Sequence, residues 1–188
     1  MGAILEMIEV EIKVLVSDVF ELVQQMKKIG FTESKSVKES DFYFDNESSQ
    51  IKTCDAALRI RRCENLKDNT SEFFMTYKGP KMDRISMTRN ELEMKIEDMD
   101  TAKDILMSLG YTRIYPVIKE RKYFYMDQVT ACLDQVENLG DFLELEIVVV
   151  NECEKEQALT KLLDLIKKLG YESKDLIRKS YLSMLLMH

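Results

Sequence analysis

Charged side chains recur at every second position in several short stretches of this 188-residue sequence. Glu9, Glu11 and Lys13 alternate with Val10, Ile12 and Val14, and Arg59 and Arg61 alternate with Leu58 and Ile60. Glu91 and Glu93 alternate with Leu92 and Met94, Lys119 and Arg121 repeat the spacing, and Glu144 and Glu146 alternate with Leu143, Leu145 and Ile147. A period of two puts each charged set on one face of a β-strand. Lys78 and Asp134 sit in neighbouring strand-like runs. Arginine forks and lysine point charges suit phosphoryl oxygens, whereas clustered carboxylates suit hard, oxygen-seeking cations such as Mg²⁺ or Mn²⁺. The cations Lys13, Arg59, Arg61, Lys78, Lys119 and Arg121 are matched in number by the carboxylates Glu9, Glu11, Glu91, Asp134, Glu144 and Glu146. A triphosphate of about four negative charges with about two divalent cations fits such a balanced set.

The elements that present these side chains follow from the punctuation of the chain. Residues 8–16 read as a strand, and Ser17 or Asp18 caps a helix that runs to about Ile29 and stops at Gly30. Phe31 to Glu39 reads as a connection or short strand, Asp41–Asp45 as a strand, and Asn46–Thr53 as a polar loop. Ala57–Arg62 and Glu72–Lys78 form a hairpin, and Arg89–Ile96 is the next strand. A helix over Asp100–Leu109 precedes strands carrying Lys119 to Tyr125, Val129–Val136 and Phe142–Val150. Helices over Glu154–Leu169 and Lys174–Met187 complete the reading, the second a Met-rich element read as core ahead of a dimer contact. An internal echo runs through the chain: Glu-x-Glu strands lead into helices ending in Ile29-Gly30-Phe31, Leu109-Gly110-Tyr111 and Leu169-Gly170-Tyr171.

If the helices cover the apolar strand faces, the charged faces meet on the other side of the sheet. A strongly twisted sheet of eight strands tends to close and lose its edges. The expected fold is therefore α+β: one domain over residues 1–188, a closed eight-stranded antiparallel β-barrel or tunnel with a charged lumen and helices outside. Such a lumen destabilises the protein unless a ligand occupies it. Arg62, Arg89, Lys95 and Lys122 are expected to be solvated charges, and Lys81 and Arg84 to lie in a solvated loop.

Composition sets limits. A net charge of −7 argues against a broad nucleic-acid-binding surface. Cys54, Cys63, Cys132 and Cys153 form no C-x-x-C pair and read as free thiols of a cytoplasmic protein. No signal peptide and no apolar run of membrane-spanning length is expected. His188 is the only histidine, so acid–base chemistry through imidazole is not foreseen, and there is no phosphate-cradling glycine loop.

The ordered motifs resemble the CYTH superfamily, also called triphosphate tunnel metalloenzymes, which includes class IV adenylate cyclases and thiamine triphosphatases. They are Glu9-x-Glu11-x-Lys13, Ala57-Leu58-Arg59-Ile60-Arg61-Arg62, Thr76-Tyr77-Lys78-Gly79-Pro80, Arg89-x-Glu91-x-Glu93, Lys119-x-Arg121, Leu133-Asp134-x-Val136 and Leu139 to Glu146, with Ser180-Tyr181 near the C-terminus. The resemblance covers nearly the whole chain. It implies metal binding by Glu9, Glu11 and Glu146, with Asp134 and Glu144 nearby. It also implies triphosphate binding by Lys13, Arg59, Arg61, Lys78, Lys119 and Arg121, with Glu91 holding a basic residue or a metal-bound water. Lys13, Arg59, Lys119 and Arg121 are the residues expected to touch the reacting phosphates. The implied chemistry is Mg- or Mn-dependent: cyclisation of ATP to cyclic AMP and diphosphate, or hydrolysis of an inorganic, nucleoside or thiamine triphosphate, with non-catalytic binding as the other alternative. Neither nucleic acid nor membrane is expected as a partner, and the chain is read as a monomer or homodimer. The cyclase subgroup carries His-Phe where this chain has Ala3-Ile4.

Overall fold

The structure is a computed structural model and describes residues 7–187. The Ala3-Ile4 departure and His188 lie outside the described residues. Strands β1 (Met7–Val16), β2 (Thr32–Asn46), β3 (Ala57–Asn65), β4 (Ser71–Lys78) and β5 (Arg89–Ile96) are followed by β6 (Tyr111–Arg113), β7 (Val117–Met126), β8 (Val129–Val136) and β9 (Gly140–Val149). Their order is β3-β4-β5-β1-β9-β8-β7-β2, and β2 pairs back onto β3. The result is a closed eight-stranded antiparallel barrel, with β6 as an additional strand on β2.

Helices α1 (Val19–Lys28), α2 (Gln50–Thr53), α3 (Met99–Ser108), α4 (Lys155–Lys168) and α5 (Tyr181–Leu185) are inserted between or after the strands. Asp18 caps α1 by accepting from the Glu21 N–H at 2.9 Å, and Asp98 caps α3 from the Asp100 and Thr101 N–H groups. Gly30, Gly110 and Gly170 each follow a helix at positive φ, so the three echoed segments share one helix stop.

The outward faces of β1, β8 and β9 make the main core. Val10, Ile12, Val14, Leu143, Leu145 and Ile147 pack with Leu22 and Met26 of α1 and Leu162 and Ile166 of α4. A second outer cluster joins Ile60 and Phe44 to Ala102 and Leu106 of α3. With apolar faces outward and helices over them, alternation turns the charged faces inward.

The local readings need correction in three places. Phe31–Glu39 is neither a connection nor a separate short strand: β2 is one 15-residue strand, with a register shift between Glu33 and Ser36 that bends it around the barrel. The polar loop at Asn46–Thr53 contains α2, whose Ile51 and Lys52 N–H groups donate to the Asp45 carboxylate. The long C-terminal helix does not form. Ser173–Asp175 is a single 3-10 turn, Leu176 bridges Val14, the Ile177 N–H donates to the Lys13 carbonyl at 2.8 Å, and only Tyr181–Leu185 is α-helical, behind the Ser180 cap. Sheet pairing to β1 outcompetes helical propensity there, a tertiary effect that local periodicity does not encode.

Candidate active site

The segment after Leu176 enters the barrel. Tyr181 packs edge-on to Phe142, with ring centroids 5.1 Å apart, beside Tyr43, Val117 and Val136. These strand residues share the inward face with the charges, so one end of the bore is apolar and filled by the C-terminal segment. The rest is a cavity of about 520 Å³ lined by Glu9, Glu11, Lys13, Arg59, Arg61, Lys78, Glu91, Lys119, Arg121, Glu144 and Glu146. Asp134 adjoins it, fully buried beneath Arg121 and Lys119. The residues singled out from the sequence are thus brought together.

Most of the cations are already held by carboxylates. Asp41 takes both nitrogens of one edge of Arg61, at 2.6 and 2.8 Å, and stands 3.5 Å from Arg59. Glu39 lies 3.0 Å from Arg61 and 3.3 Å from Lys119, and accepts from the Tyr123 hydroxyl at 3.0 Å. Asp134 makes the matching two-pronged bond to Arg121, at 2.6 Å each, and also accepts from the Tyr181 hydroxyl at 2.9 Å. Glu144 lies 3.1 Å from Lys13 and bonds Arg121 as well. The Tyr181 ring faces Lys13 at 4.0 Å and Lys119 at 5.1 Å, adding cation–π attraction at the apolar end. Lys78 joins Glu9 to Glu91, whose second oxygen is 3.9 Å from Arg59. Among the described residues one buried donor, the Arg59 Nε, has no hydrogen-bond partner.

These pairs set the protonation states. Burial raises the Glu39 pKa, but Arg61, Lys119 and Arg121 lower it further, to about 2. Burial acts the same way on Asp41, and Arg61 and Arg59 hold it well below the usual carboxylate range. Burial opposes the low value of Glu9 too, yet Lys78 brings it to about 2.

Glu11 and Glu146 behave differently. They stand directly opposite in the β1–β9 ladder, with Glu9 two residues along the same face. Among the described residues neither has a salt-bridge partner within 4.0 Å. Burial, then the charge of Glu144, raises Glu11 to about 8, and burial, then the charge of Glu9, raises Glu146 well above the carboxylate range. Two unpaired carboxylates facing each other in a buried bore are the donor chemistry of a hard divalent cation. No group of three Asp, Glu, His or Cys side chains converges as a ready-made metal cage among the described residues. The remaining ligands would have to be water and substrate oxygens, the usual situation for Mg²⁺. The donor set therefore fits a substrate-completed site at Glu11 and Glu146, with Glu9 beside it. Asp134 and Glu144 are committed to cations.

Several of these residues escape sequence reading. Glu39 and Asp41 obey the same period-two rule as the other charges, but the reading of residues 31–39 as a connection or short strand separate from Asp41–Asp45 hid Glu39. Tyr123 carries no charge pattern at all, and Tyr181 is marked only by the resemblance of Ser180-Tyr181, not by any pattern that places it in the bore. Arg89 is not a solvated charge: it is buried, donates to the Gly79 carbonyl at 2.7 Å and bonds the Asp55 carbonyl, pinning the turn after β4. Lys81 is half-buried against Asp55 at 2.6 Å and also lines the cavity.

An antiparallel barrel with an ion-lined bore, plugged at one end and covered by helices, defines a tunnel class of protein. Residues 7–181 match the CYTH domain, and the chain belongs to that family. It is 41% identical over 178 residues to a Methanocaldococcus jannaschii protein provisionally named an adenylate cyclase, covering 95% of this chain and 98% of that one. It is 28% identical over 144 residues to the adenylate cyclase CyaB of Aeromonas hydrophila, covering 77% of this chain and 70% of that one. The solved structure of the PH1819 protein from Pyrococcus horikoshii superposes with a TM-score of 0.86 at 35% identity, covering 95% of this chain and 98% of that one.

Proposed function

We propose that the chain is a single-domain, Mg- or Mn-dependent enzyme that binds an organic triphosphate in the bore and acts on it as a class IV adenylate cyclase-like protein. The observation that carries this reading is the convergence of Lys13, Arg59, Arg61, Lys78, Lys119 and Arg121 on one cavity that also contains the unpaired Glu11 and Glu146. The names of the Methanocaldococcus and Aeromonas relatives support the cyclase assignment.

In this reading Arg59 offers its unpartnered Nε–H to a phosphoryl oxygen. Arg61 and Arg121 present the N–H groups left over from their two-pronged bonds to Asp41 and Asp134. Lys13 and Lys119 add charge, held in place by Glu144, Glu39 and the Tyr181 ring. The divalent cation, when bound, neutralises phosphate charge. The cyclase reaction is attack of the ribose 3′-hydroxyl on the α-phosphorus with departure of diphosphate. Positioning and electrostatic stabilisation dominate such phosphoryl chemistry. The buried Cys132 does not supply a nucleophile: burial raises its thiol well above the ordinary value, which keeps it protonated.

A second reading is favoured by Ala3-Ile4 in place of the cyclase His-Phe. There, water attacks the terminal phosphorus of the same bound triphosphate and releases phosphate. Incubation with ATP or tripolyphosphate, plus Mg²⁺ or Mn²⁺, separates the two. Cyclic AMP with diphosphate is expected from ATP; release of phosphate alone favours the triphosphatase. Binding of tripolyphosphate by calorimetry without turnover would make the chain a polyphosphate-binding protein, and absence of binding would overturn the whole reading. No nucleic-acid partner is proposed. Among the described residues no helix is long and apolar enough to cross a membrane, and the free thiols accord with a cytoplasmic setting.

A further inference from the structure

The inward row of β7 does not end at Arg121. By the period of two, Tyr123 and Tyr125 follow Lys119 and Arg121 on the face that points into the bore, while Phe124 between them is fully buried in the outer core. The two tyrosine rings are stacked, with centroids 6.4 Å apart and planes 12° from parallel. The Arg121 guanidinium carbon stands 5.7 Å from the Tyr123 centroid, and the Lys35 ammonium of β2 stands 5.0 Å from the same ring. A guanidinium and two rings thus line up along one strand, from the ion-lined cavity, whose wall includes Tyr123, out to Tyr125.

Tyr125 is also tied to the unpaired carboxylates. It lies opposite Thr130, and Thr130 lies opposite Glu146, so the three share one row across β7, β8 and β9. Burial, then the charges of Cys132 and Glu146, raise the Tyr125 pKa, as expected of a ring on that side of the sheet. Tyr125 is nevertheless 42% exposed, and its hydroxyl has no hydrogen-bond partner among the described residues. Two strands, β8 and β9, separate it from β1. The other aromatic residues of the cavity wall, Tyr43, Phe44 and Tyr181, are buried, and Tyr181 is already bonded to Asp134. Among the described residues, the aromatic surface available to a ligand of the bore is therefore at Tyr125.

We propose that Tyr125, stacked on Tyr123, is the platform for the organic group of the triphosphate, and that this group is an uncharged nucleobase. This rests on the triphosphate reading and adds to it the end of the bore that the base occupies. Stacking on a tyrosine accepts any planar ring, so nearby charge makes the choice. Lys35 beside the pair repels a cationic ring such as a thiazolium, and its ammonium donates to the ring nitrogens and carbonyls of a neutral base. Arg121 and Tyr125 are separated by about 13 Å along the strand, a span that an extended nucleoside triphosphate covers from its phosphates to its base. With the base on Tyr125, the phosphate attached to the ribose, and not the terminal one, lies beside Glu11 and Glu146. That phosphate is the one attacked in the cyclase reaction.

Calorimetric titration of the full-length chain in Mg²⁺ tests it with tripolyphosphate, the α,β-methylene analogue of ATP, and thiamine triphosphate. Tripolyphosphate has no base, so its binding tests the triphosphate reading by itself. Tyr125→Ala is expected to weaken the ATP analogue about tenfold or more and tripolyphosphate by less than about twofold. The chain contains no tryptophan, so Tyr125→Trp supplies a single indole. Its fluorescence is expected to be quenched by the ATP analogue and not by tripolyphosphate, with affinity for the analogue kept or tightened. The unmodified chain is expected to bind the ATP analogue more tightly than thiamine triphosphate, and Lys35→Glu to narrow that margin. Normal tripolyphosphate binding with unchanged affinity for the ATP analogue in Tyr125→Ala would overturn the platform and leave the triphosphate reading standing. So would a loss of analogue affinity in Leu186→Ala, at the α2–α5 end of the cavity, in place of Tyr125→Ala. Thiamine triphosphate bound as tightly as the ATP analogue would overturn the choice of a neutral base, and no binding of any of the three would overturn both readings.

Discussion

Two arcs of the bore wall manage charge in opposite ways. Along β2, β3, β7 and β8, Glu39, Asp41 and Asp134 hold Arg61, Lys119 and Arg121 in a network of short bonds. Where β1 meets β9, Glu11 and Glu146 face each other without a cation. The first arc carries its own counter-charges and keeps its cations oriented whether or not a ligand is present. The second holds two carboxyl groups that burial and neighbouring carboxylates keep protonated near neutral pH; in the proposed reading a divalent cation would take the place of those protons. In the proposed reading stability resides mainly in one arc and reactivity at the other, and each arc has its own ways of failing.

The largest effect is expected from breaking the self-contained arc. Asp134→Ala leaves Arg121 and Lys119 buried without their shared carboxylate, and should cost about 3–5 kcal/mol in chemical denaturation. If the loss is under about 1 kcal/mol, the network is solvated and the contrast between arcs fails. At the other arc, Glu11→Gln and Glu146→Gln should each lower divalent-dependent turnover by about 100-fold or more. The same changes should leave the thermal midpoint level or raise it, since they remove buried carboxyls whose ionised form desolvation disfavours. A lowered midpoint with normal turnover would reverse the assignment of the arcs.

Arg59 lies between the two. Its Nε has no partner among the described residues, so Arg59→Met should weaken tripolyphosphate binding about 10- to 100-fold by calorimetry, the loss of one or two charge-assisted hydrogen bonds. The paired arc should also control the acid limb of stability. Glu39 is lowered in the folded state to about 2, from an ordinary value near 4.3, and Asp41 is lowered further. Their stabilisation is therefore complete above the unfolded value and is lost as pH falls through the folded one. Denaturation between about pH 5 and pH 2 should steepen as acid is added, and Glu39→Gln should flatten part of that limb; an unchanged slope would show that Glu39 carries little of it. The smallest change is Tyr181→Phe. It removes the hydroxyl bond to Asp134 but leaves the ring against Lys13, and should cost about 1 kcal/mol by thermal denaturation.

Much of this was legible in the chain itself. Alternation at Glu9–Lys13, Arg59–Arg61, Lys119–Arg121 and Glu144–Glu146 identified both the strands and the inward charges, because side-chain direction in a strand is a local property of period two. The helix stops at Gly30, Gly110 and Gly170 were equally local. The placement of Glu39 was not, because a bulged strand blurs the period that would reveal it. Tyr181 was harder still: its site depends on Leu176 finding Val14, a contact between residues far apart in sequence.

The sequence alone determined which side chains face inward and which elements they ride on, since φ/ψ preference, caps and periodicity act over a few residues. Tertiary structure decided who pairs with whom. Only the registers of β1 on β9 and β2 on β3 and β7 leave Glu11 and Glu146 unaccompanied while Asp41 and Glu39 take the arginines. Those registers are set by the collective packing of apolar faces beneath α1, α3 and α4. A one-residue slip would turn every charge outward, so the core, and not the charged residues themselves, fixes the chemistry of the bore.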